Sequence, residues 1–226
     1  MPAVSKKAML AELKRLYPDA RPELNFSNPY ETLVATILSA QCTDKQVNKV
    51  TPAVFARFPD AVSMAAASVE ELYPMVKSCG FKNKANNIIE ACKLIVLRHG
   101  GEVPSTMEEL TALPGVGRKT ANVVMANAFG TPAIAVDTHV FRVSNRLGLV
   151  DADDVLKTEL QLQKAIPKSD WSAAHHWLIY HGRRVCKAQH PLCETCTLRD
   201  MCKAERQRRK AEKAAQTKQT KDVIEG

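Results

Sequence analysis

Residues 113–121 read Leu-Pro-Gly-Val-Gly-Arg-Lys-Thr-Ala, and this stretch decides the fold. Pro114 cannot continue a preceding helix, because it has no amide hydrogen and its ring clashes with the previous turn. Gly115 and Gly117 permit a tight turn and leave its backbone bare. Apolar residues at helical spacing resume after Arg118 and predict a new helix. The sequence therefore predicts two helices joined by a short glycine turn.

The start of the second helix is a predicted phosphate site. The first amides of a helix have no partner within it and carry the positive end of its dipole. Because glycines form the turn, no side chain keeps a phosphate away from these amides. Arg118 and Lys119 add positive charge. Together these features make a helix-hairpin-helix pattern, which contacts the nucleic-acid backbone rather than the bases. The alternative is an ordinary interhelical turn.

Helical signals also cover most of the remaining chain. A Ser or Asn followed three residues later by Glu marks further helix starts at Asn28, Ser68 and Ser105. Apolar residues recur at helical spacing in the segments 5–17, 84–99, 118–129, 138–147, 154–166 and 169–181. No convincing strand alternates, and residues 133–136 are too few to build a sheet on. We therefore predict an all-α protein of about ten helices.

The charge balance favours a polyanionic partner. The 226 residues, enough for one large domain or two small ones, include 32 Lys and Arg against 24 Asp and Glu, a net charge of +8. Such an excess favours nucleic acid or an anionic membrane surface. No apolar run approaches the ~20 residues that span a bilayer. Residues 1–11 lack the apolar core of a secretion signal, so we expect a prokaryotic cytoplasmic protein.

Half of the positive excess lies at the end of the chain. Residues 203–226 hold eight basic and four acidic side chains. Large apolar side chains almost vanish after residue 204, which predicts a disordered segment or a frayed helix. We expect this tail to add only salt-sensitive, non-specific attraction, so that its removal mainly weakens binding.

Four of the seven cysteines form a metal-ligand pattern. They lie within 17 positions, at Cys186, Cys193, Cys196 and Cys202. Seven cysteines in a chain without a secretion signal favour metal binding or free thiols over disulfides. Zinc and iron–sulfur clusters both accept four thiolates, so the spacing leaves both open. The other three cysteines, Cys42, Cys79 and Cys92, are scattered and are expected to be buried.

Lys119 and Asp137 are candidates for catalysis. A lysine in the first turn of a helix lies at the positive end of the dipole, which favours its neutral, nucleophilic amine. The alternative is a solvated lysine. Asp137 is the only acid in an apolar stretch at a helix start, so it is expected to be an ionised, oriented N-cap. One helix plus one loop separates the two residues, which allows both helix starts to lie on one face.

These motifs, in this order and spacing, closely resemble the endonuclease III family of DNA glycosylases and abasic-site lyases that act on oxidised pyrimidines. The resemblance rests on residues 113–121, on Val136-Asp137-Thr138-His139 and on the four-cysteine loop. It runs from Pro29 to Cys202 and includes residues 38–44, Leu-Ser-Ala-Gln-Cys-Thr-Asp, and residues 79–85, Cys-Gly-Phe-Lys-Asn-Lys-Ala.

The resemblance implies two helical domains flanking a DNA cleft. Residues 22–131 would form a six-helix domain ending in the helix-hairpin-helix. Residues 1–21 with 132–203 would form a discontinuous cluster domain, followed by a basic flexible tail at 204–226. The four cysteines would hold one 4Fe-4S cluster rather than zinc. The expected partner is duplex DNA containing damaged pyrimidines or abasic sites, bound by a monomeric, nucleoid-associated enzyme.

The resemblance also assigns roles to single residues. Lys119 matches the nucleophile and Asp137 the catalytic aspartate. Gln41 matches the residue that fills the gap left by the extruded nucleotide, and Phe81 falls where the family commonly places an aliphatic wedge. The residues implied to bind DNA are Gly115, Gly117, Arg118, Gln41, Phe81 and Lys187. The residues implied to line the base pocket are Ser39, Asp44 and His139.

Two other classes compete with this interpretation. An adenine glycosylase of the same superfamily usually lacks the hairpin lysine, carries a catalytic Glu before the Gln41 region and has a further C-terminal domain. Here residues 33–38 hold no acid, and the chain has no room for such a domain. A non-catalytic DNA-binding module with a structural zinc is the other alternative. The pairing of Lys119 with Asp137 argues against it.

Overall fold

The computed structural model describes residues 5–224, with the side chains of the last helix described as far as residue 216. This part of the chain is helical and contains no strand, which confirms the predicted all-α class. Its twelve α-helices are α1 Lys6–Leu16, α2 Pro29–Leu38, α3 Asp44–Arg57, α4 Ala61–Ala65, α5 Val69–Val76, α6 Lys82–His99, α7 Met107–Thr111, α8 Arg118–Phe129, α9 Thr138–Leu147, α10 Val155–Ala165, α11 Trp171–Arg184 and α12 Lys203–Ile224.

The chain folds into two compact units, residues 21–135 and residues 1–20 with 136–226. In the first unit, α2 is the central helix, because eight of its ten residues are buried. Helix α8 packs against α2, and α6 packs against α4 and α5. A helix that is apolar on nearly every side is stable only when neighbours surround it. This packing fixes α8, whose first turn carries Lys119.

The second unit is built around α11. Helix α9 packs on α11, α1 packs on it as well, and α12 contacts α9. The core includes Leu13, Leu147 and Leu178, each fully buried. The N-terminal helix thereby packs with elements from the C-terminal half of the chain. Within the described residues of both units, no helix is long and apolar enough to cross a membrane.

The caps follow the sequence prediction with one correction. Ser68 and Glu71 form the reciprocal capping box. Asn28 caps α2, with its side chain accepting from the Glu31 amide at 2.9 Å. The predicted Ser105 cap is wrong. Thr106 caps α7 instead, and its hydroxyl donates to the Glu109 carboxylate at 2.6 Å. Both pairs have the same spacing, so local sequence could not choose between them.

The segment predicted to be disordered or frayed is helical as far as Ile224, and residues 225–226 lie outside the described part. Its Ala, Lys, Glu, Arg and Gln residues are good helix formers. Glu205 anchors its first turn, because its buried carboxylate pairs with Arg208 at 2.8 Å and with Arg209 and Arg199 at 3.0 Å each. Part of the positive charge in this segment is therefore paired within the protein.

Candidate functional site

The glycine turn has the geometry of an open anion site. Gly115 has a φ of 75°, and a Cβ there would also lie 3.0 Å from the Cβ of Asn87. Gly117 is the N-cap of α8 and offers no side chain to the first amides of that helix. A Cβ at Gly117 would meet no atom within 4 Å, so the space beside these amides is open. Leu113 and Val116 are buried and hold the turn down.

Lys119 and Arg118 are exposed on the first turn of α8. The buried face of the same helix, including Ala121 and Val124, packs against the core. Asn122 is also buried, and its side chain donates to the carbonyl of Ile134 at 3.2 Å. This arrangement presents the Lys119 amine to solvent beside a bare backbone. A nucleophile for a bulky polymer substrate needs that accessibility.

Asp137 is the N-cap of α9, as the sequence predicts. Its Oδ1 accepts from the Val140 amide at 2.8 Å, and its side chain is half-buried. The Asp137 charge also acts on His176 of α11. Burial and the charge of Arg183 lower the pKa of His176 to about 4, while Asp137 opposes them. The imidazole of His176 is therefore neutral at pH 7, despite the charge of Asp137.

Lys119 and Asp137 belong to different compact units. Each has the local geometry that the sequence predicts, at the start of its own helix. Their predicted meeting on one face stays a prediction.

Gln41 and Phe81 stand out by conformation and exposure. Gln41 follows α2 with a φ of 57°, one of two non-glycine residues with positive φ in the described chain. Such a left-handed conformation is costly for a residue with a side chain, and it is often found at functional sites. Phe81 is the N-cap of α6 and is 83% exposed, although a large aromatic ring is normally buried. Both properties suit side chains that enter a nucleic-acid duplex.

The proposed pocket residues occupy three helix ends. Ser39 is the C-cap of α2, and its hydroxyl donates to the Thr36 carbonyl at 2.8 Å. Asp44 is the first residue of α3. His139 lies in the first turn of α9, where its Nδ1 is 3.1 Å from Nη2 of Arg142. Ser39 and His139 thus have structural partners as well as a predicted role.

The four clustered cysteines line one recess in the second unit, with a cavity volume of about 30 Å³. All four are free thiols and half-buried. The remaining lining is largely apolar and includes Leu147, Val185 and Leu192. Among the described side chains, no three Cys, His, Asp or Glu groups are placed to hold a single metal ion. The recess is therefore a thiol-lined cavity whose sulfurs do not surround one ion.

Sequence reasoning missed the arginine that fixes the cysteine loop. Arg146 of α9 donates to the carbonyl of Lys187 at 2.7 Å and to that of Ala188 at 3.0 Å. Its guanidinium also lies 3.7 Å from Sγ of Cys186. Lys187, the predicted phosphate contact, is exposed at this anchored loop. No local signal marks Arg146, because its partners follow about forty residues later.

The glycine turn and its helices place the chain in a known class. Residues 34–168, more than half of the chain, match the family model of the HhH-GPD superfamily base excision DNA repair protein. Endonuclease III of Synechocystis sp. is 53% identical over 204 residues, which cover 88% of this chain and 93% of that protein. The chain therefore belongs to the endonuclease III family, as its motifs indicated.

Two solved structures of endonuclease III bound to DNA have the same fold as this chain. A trapped endonuclease III–DNA covalent intermediate, the estranged-adenine complex, is 48% identical, with a TM-score of 0.85 and coverage of 90% of this chain and 98% of that chain. A non-covalent endonuclease III–DNA complex is 47% identical, with a TM-score of 0.87 and coverage of 93% and 99%.

Proposed function

We propose that this protein is a bifunctional DNA glycosylase and abasic-site lyase that removes oxidised pyrimidines from duplex DNA in base excision repair. One observation carries the proposal. Lys119 is exposed on the first turn of α8, directly after a bare glycine turn. The same fold, at 48% identity, occurs in an endonuclease III trapped covalently on DNA. A lysine amine beside a phosphate-binding turn is suited to covalent attack on a sugar.

The damaged base must first leave the duplex. Extrusion costs a few kcal/mol, and damage that weakens pairing reduces this cost. The amides at the start of α8, with Arg118, would hold the backbone. Gln41 and Phe81, exposed on two turns of the same unit, would fill the vacancy. Ser39, Asp44 and His139 would contact the extruded base.

The chemistry then needs one amine and one carboxylate. The lone pair of the Lys119 amine attacks C1′ of the deoxyribose, while the electrons of the glycosidic bond leave with the base. Asp137 stabilises the positive charge that develops on the sugar and assists proton transfer. Opening of the sugar ring gives a Schiff base between Lys119 and C1′. Loss of a C2′ proton then breaks the C3′–oxygen bond and cuts the strand 3′ to the lesion.

The thiol-lined recess would hold one 4Fe-4S cluster. Four cysteine thiols are the donor set of such a cluster. They line one recess beside largely apolar side chains, which is the environment that such a cluster needs. The cluster would stabilise a loop that has little apolar core of its own. No step of base removal or strand cleavage requires it.

Borohydride trapping tests the proposal. Incubation with duplex DNA containing one abasic site, followed by reduction, should give a covalent complex with the wild-type protein. Lys119→Ala should give no covalent complex. Lys187→Ala should bind DNA more weakly but should still form the covalent complex. A trapped complex of undiminished yield with Lys119→Ala would overturn the assignment of the nucleophile.

Duplexes carrying one defined lesion each then test the substrate class. Oxidised pyrimidines should be excised and the strand cut. Excision of mismatched adenine without strand cleavage would instead support the adenine glycosylase alternative.

We further propose that the protein acts as a monomer on nucleoid DNA in a prokaryotic cytoplasm. Gel filtration of the DNA complex would test the oligomeric state, and cell fractionation would test the location.

A further inference from the structure

We infer that Lys84 is a positioning residue that holds the turns carrying Gln41 and Phe81 together as one preformed wedge. The inference rests on the proposed function, because it concerns how the duplex is opened. The Lys84 ammonium donates to the carbonyl of Leu38 at 3.0 Å, to that of Cys79 at 2.5 Å and to that of Ala40. Ala40 directly precedes Gln41, and Cys79 lies two residues before Phe81.

The bonding of Lys84 is complete. An ammonium group has three N–H donors, and three backbone carbonyls accept from it. Leu38 is the last residue of α2, so its carbonyl lies at the negative end of that helix dipole and favours a cation. The side chain of Lys84 is half-buried, which strengthens these bonds relative to bonds in water. Lys84 thus joins two turns that lie about forty residues apart in the sequence.

Both turns contain a residue with positive φ, and at Gln41 this conformation is costly. Gln41 has a φ of 57°, and Gly80 has a φ of 139°. A Cβ at Gly80 would lie 3.0 Å from the Lys84 ammonium, so the lysine stem passes directly under this glycine. A non-glycine residue with positive φ persists only where its surroundings over-determine it. The carbonyl before Gln41 is tied to Lys84, which supplies such a constraint.

A preformed wedge lowers the cost of base extrusion. Side chains that are already ordered lose less entropy when they enter the DNA, and a displacement of about 1 Å can cost roughly 100-fold in rate. Without the ammonium, the two turns would lose their shared anchor and Gln41 could relax. The lesion chemistry at Lys119 would remain intact. The defect should therefore appear only when the enzyme itself must open a base pair.

Single-turnover strand cleavage on two substrates tests this inference. The same oxidised pyrimidine is placed in a full duplex and in a one-nucleotide bulge, where it is already unpaired. Lys84→Met, which keeps most of the stem but removes the charge, should cut the duplex roughly 10- to 100-fold more slowly than wild type. It should cut the bulge within about threefold of wild type. Lys84→Arg should recover part of the duplex rate.

The matched control is Lys82→Met. Lys82 is exposed and its ammonium pairs with the Glu70 carboxylate at 3.0 Å, away from the three carbonyls that Lys84 binds, so both rates should stay close to wild type. Gly80→Ala is not used as a second test, because alanine is strained at a φ of 139° whatever its distance from Lys84. Should Lys84→Met fail to fold, Lys84→Arg carries the test, with a smaller loss that is again confined to the duplex.

Three outcomes decide the matter. A loss confined to the duplex supports the positioning role. Equal losses on both substrates, or no loss on the duplex, overturn it while leaving the proposed function standing. A wild-type protein that cuts neither substrate overturns the proposed function, and the positioning role falls with it.

Discussion

The hydroxyl of Tyr17 lies 3.0 Å from Nδ1 of His181, whose other ring nitrogen lies 3.7 Å from Sγ of Cys196. One imidazole thus connects the end of α1 with the thiol-lined recess. Burial lowers the pKa of His181 to about 4, so the ring is neutral at pH 7. When the tyrosine hydroxyl donates to Nδ1, the remaining N–H of the ring points at the sulfur. Tyr17 therefore selects the tautomer that supports Cys196.

Tyr17→Phe should loosen this support. Loss of one buried hydrogen bond should lower the free energy of unfolding by about 1 kcal/mol. The freed imidazole can then take the other tautomer and lose its N–H contact with Sγ of Cys196. The visible absorbance of the proposed 4Fe-4S cluster should therefore bleach faster when the purified protein is treated with an oxidant. Tyr73→Phe, in the other compact unit, is the control and should bleach at the wild-type rate. Identical bleaching of both variants would contradict a role for Tyr17 at the recess.

Asp137 caps a helix and is also proposed to stabilise a cationic sugar, and two substitutions separate these roles. Asparagine is as good an N-cap as aspartate, whereas alanine is poor. Asp137→Asn should therefore leave the unfolding midpoint nearly unchanged, while Asp137→Ala lowers stability by about 1 kcal/mol. Both should slow base removal strongly without abolishing DNA binding. If Asp137→Asn turns over as fast as wild type, Asp137 is only a cap.

His176 should make stability fall in acid. Its pKa in the folded protein is about 4, below the ordinary 6.5, chiefly because burial disfavours the charged ring. The unfolded chain therefore binds more protons between these values, and stability decreases as pH falls from 6.5 towards 4, by at most about 1.4 kcal/mol per pH unit.

Urea unfolding of wild type and His176→Gln measures this effect. As pH falls from 7 to 5, the wild type should lose stability relative to His176→Gln, because glutamine does not titrate. A difference that is constant across this range would show that His176 does not titrate abnormally.

The site could be predicted where its signals are local. Helix α8 begins at Arg118 and ends at Phe129, as Gly117 and Gly130 indicate, because a bare N-cap and a left-handed C-cap depend on adjacent residues only. Lys84 could not be found in this way. Its carbonyl partners at Leu38 and Ala40 precede it by more than forty residues, and no periodicity in the sequence shows which turn lies beside which helix.

The C-terminal helix shows the same limit. Composition alone predicted a disordered or frayed segment, because it has few large apolar residues. The structure instead anchors it through Glu205, a buried carboxylate that arginines surround. Pairing of this kind depends on Arg199, which precedes the helix, and has no signature in hydrophobic periodicity.

Glu205→Gln tests that anchor. Hydrogen bonds from Arg208 hold the pKa of Glu205 at about 2, with Arg199 and Arg209 contributing. The stabilisation is therefore present above the ordinary pKa of 4.5 and is lost as pH falls through about 2. At pH 7 the substitution should cost about 1–2 kcal/mol, because the buried Glu205 side chain loses its charge-assisted hydrogen bonds while water can rehydrate the partly exposed arginines.

The control is Glu212→Gln, whose carboxylate is 52% exposed and pairs with Arg208 at 2.7 Å. It should cost no more than about 0.5 kcal/mol. Equal costs for Glu205→Gln and Glu212→Gln in urea unfolding would show that burial adds nothing to the anchor.

The net positive charge of the tail comes from its first eight residues. Residues 203–210 hold five basic side chains and one acidic one, whereas residues 211–226 hold three of each. Within the first group, Lys203 pairs with Asp151 at 3.1 Å, and Arg208 and Arg209 pair with Glu205. A chain ending at residue 210 loses no net charge. Its non-specific DNA affinity should therefore stay within about twofold of wild type, with the same salt dependence.

The double substitution Arg206→Ala and Lys210→Ala removes two charges without shortening the chain. If the tail attracts phosphates, this variant should bind undamaged duplex less tightly at low salt, and its slope of log affinity against log salt should decrease by about one for each lost contact. The shortened chain changes length without net charge, and the double variant changes charge without length. DNA titrations at several salt concentrations therefore separate the effect of tail length from the effect of tail charge. A large loss of affinity in the shortened chain, with no change in the double variant, would mean that residues 211–226 bind DNA by means other than net charge.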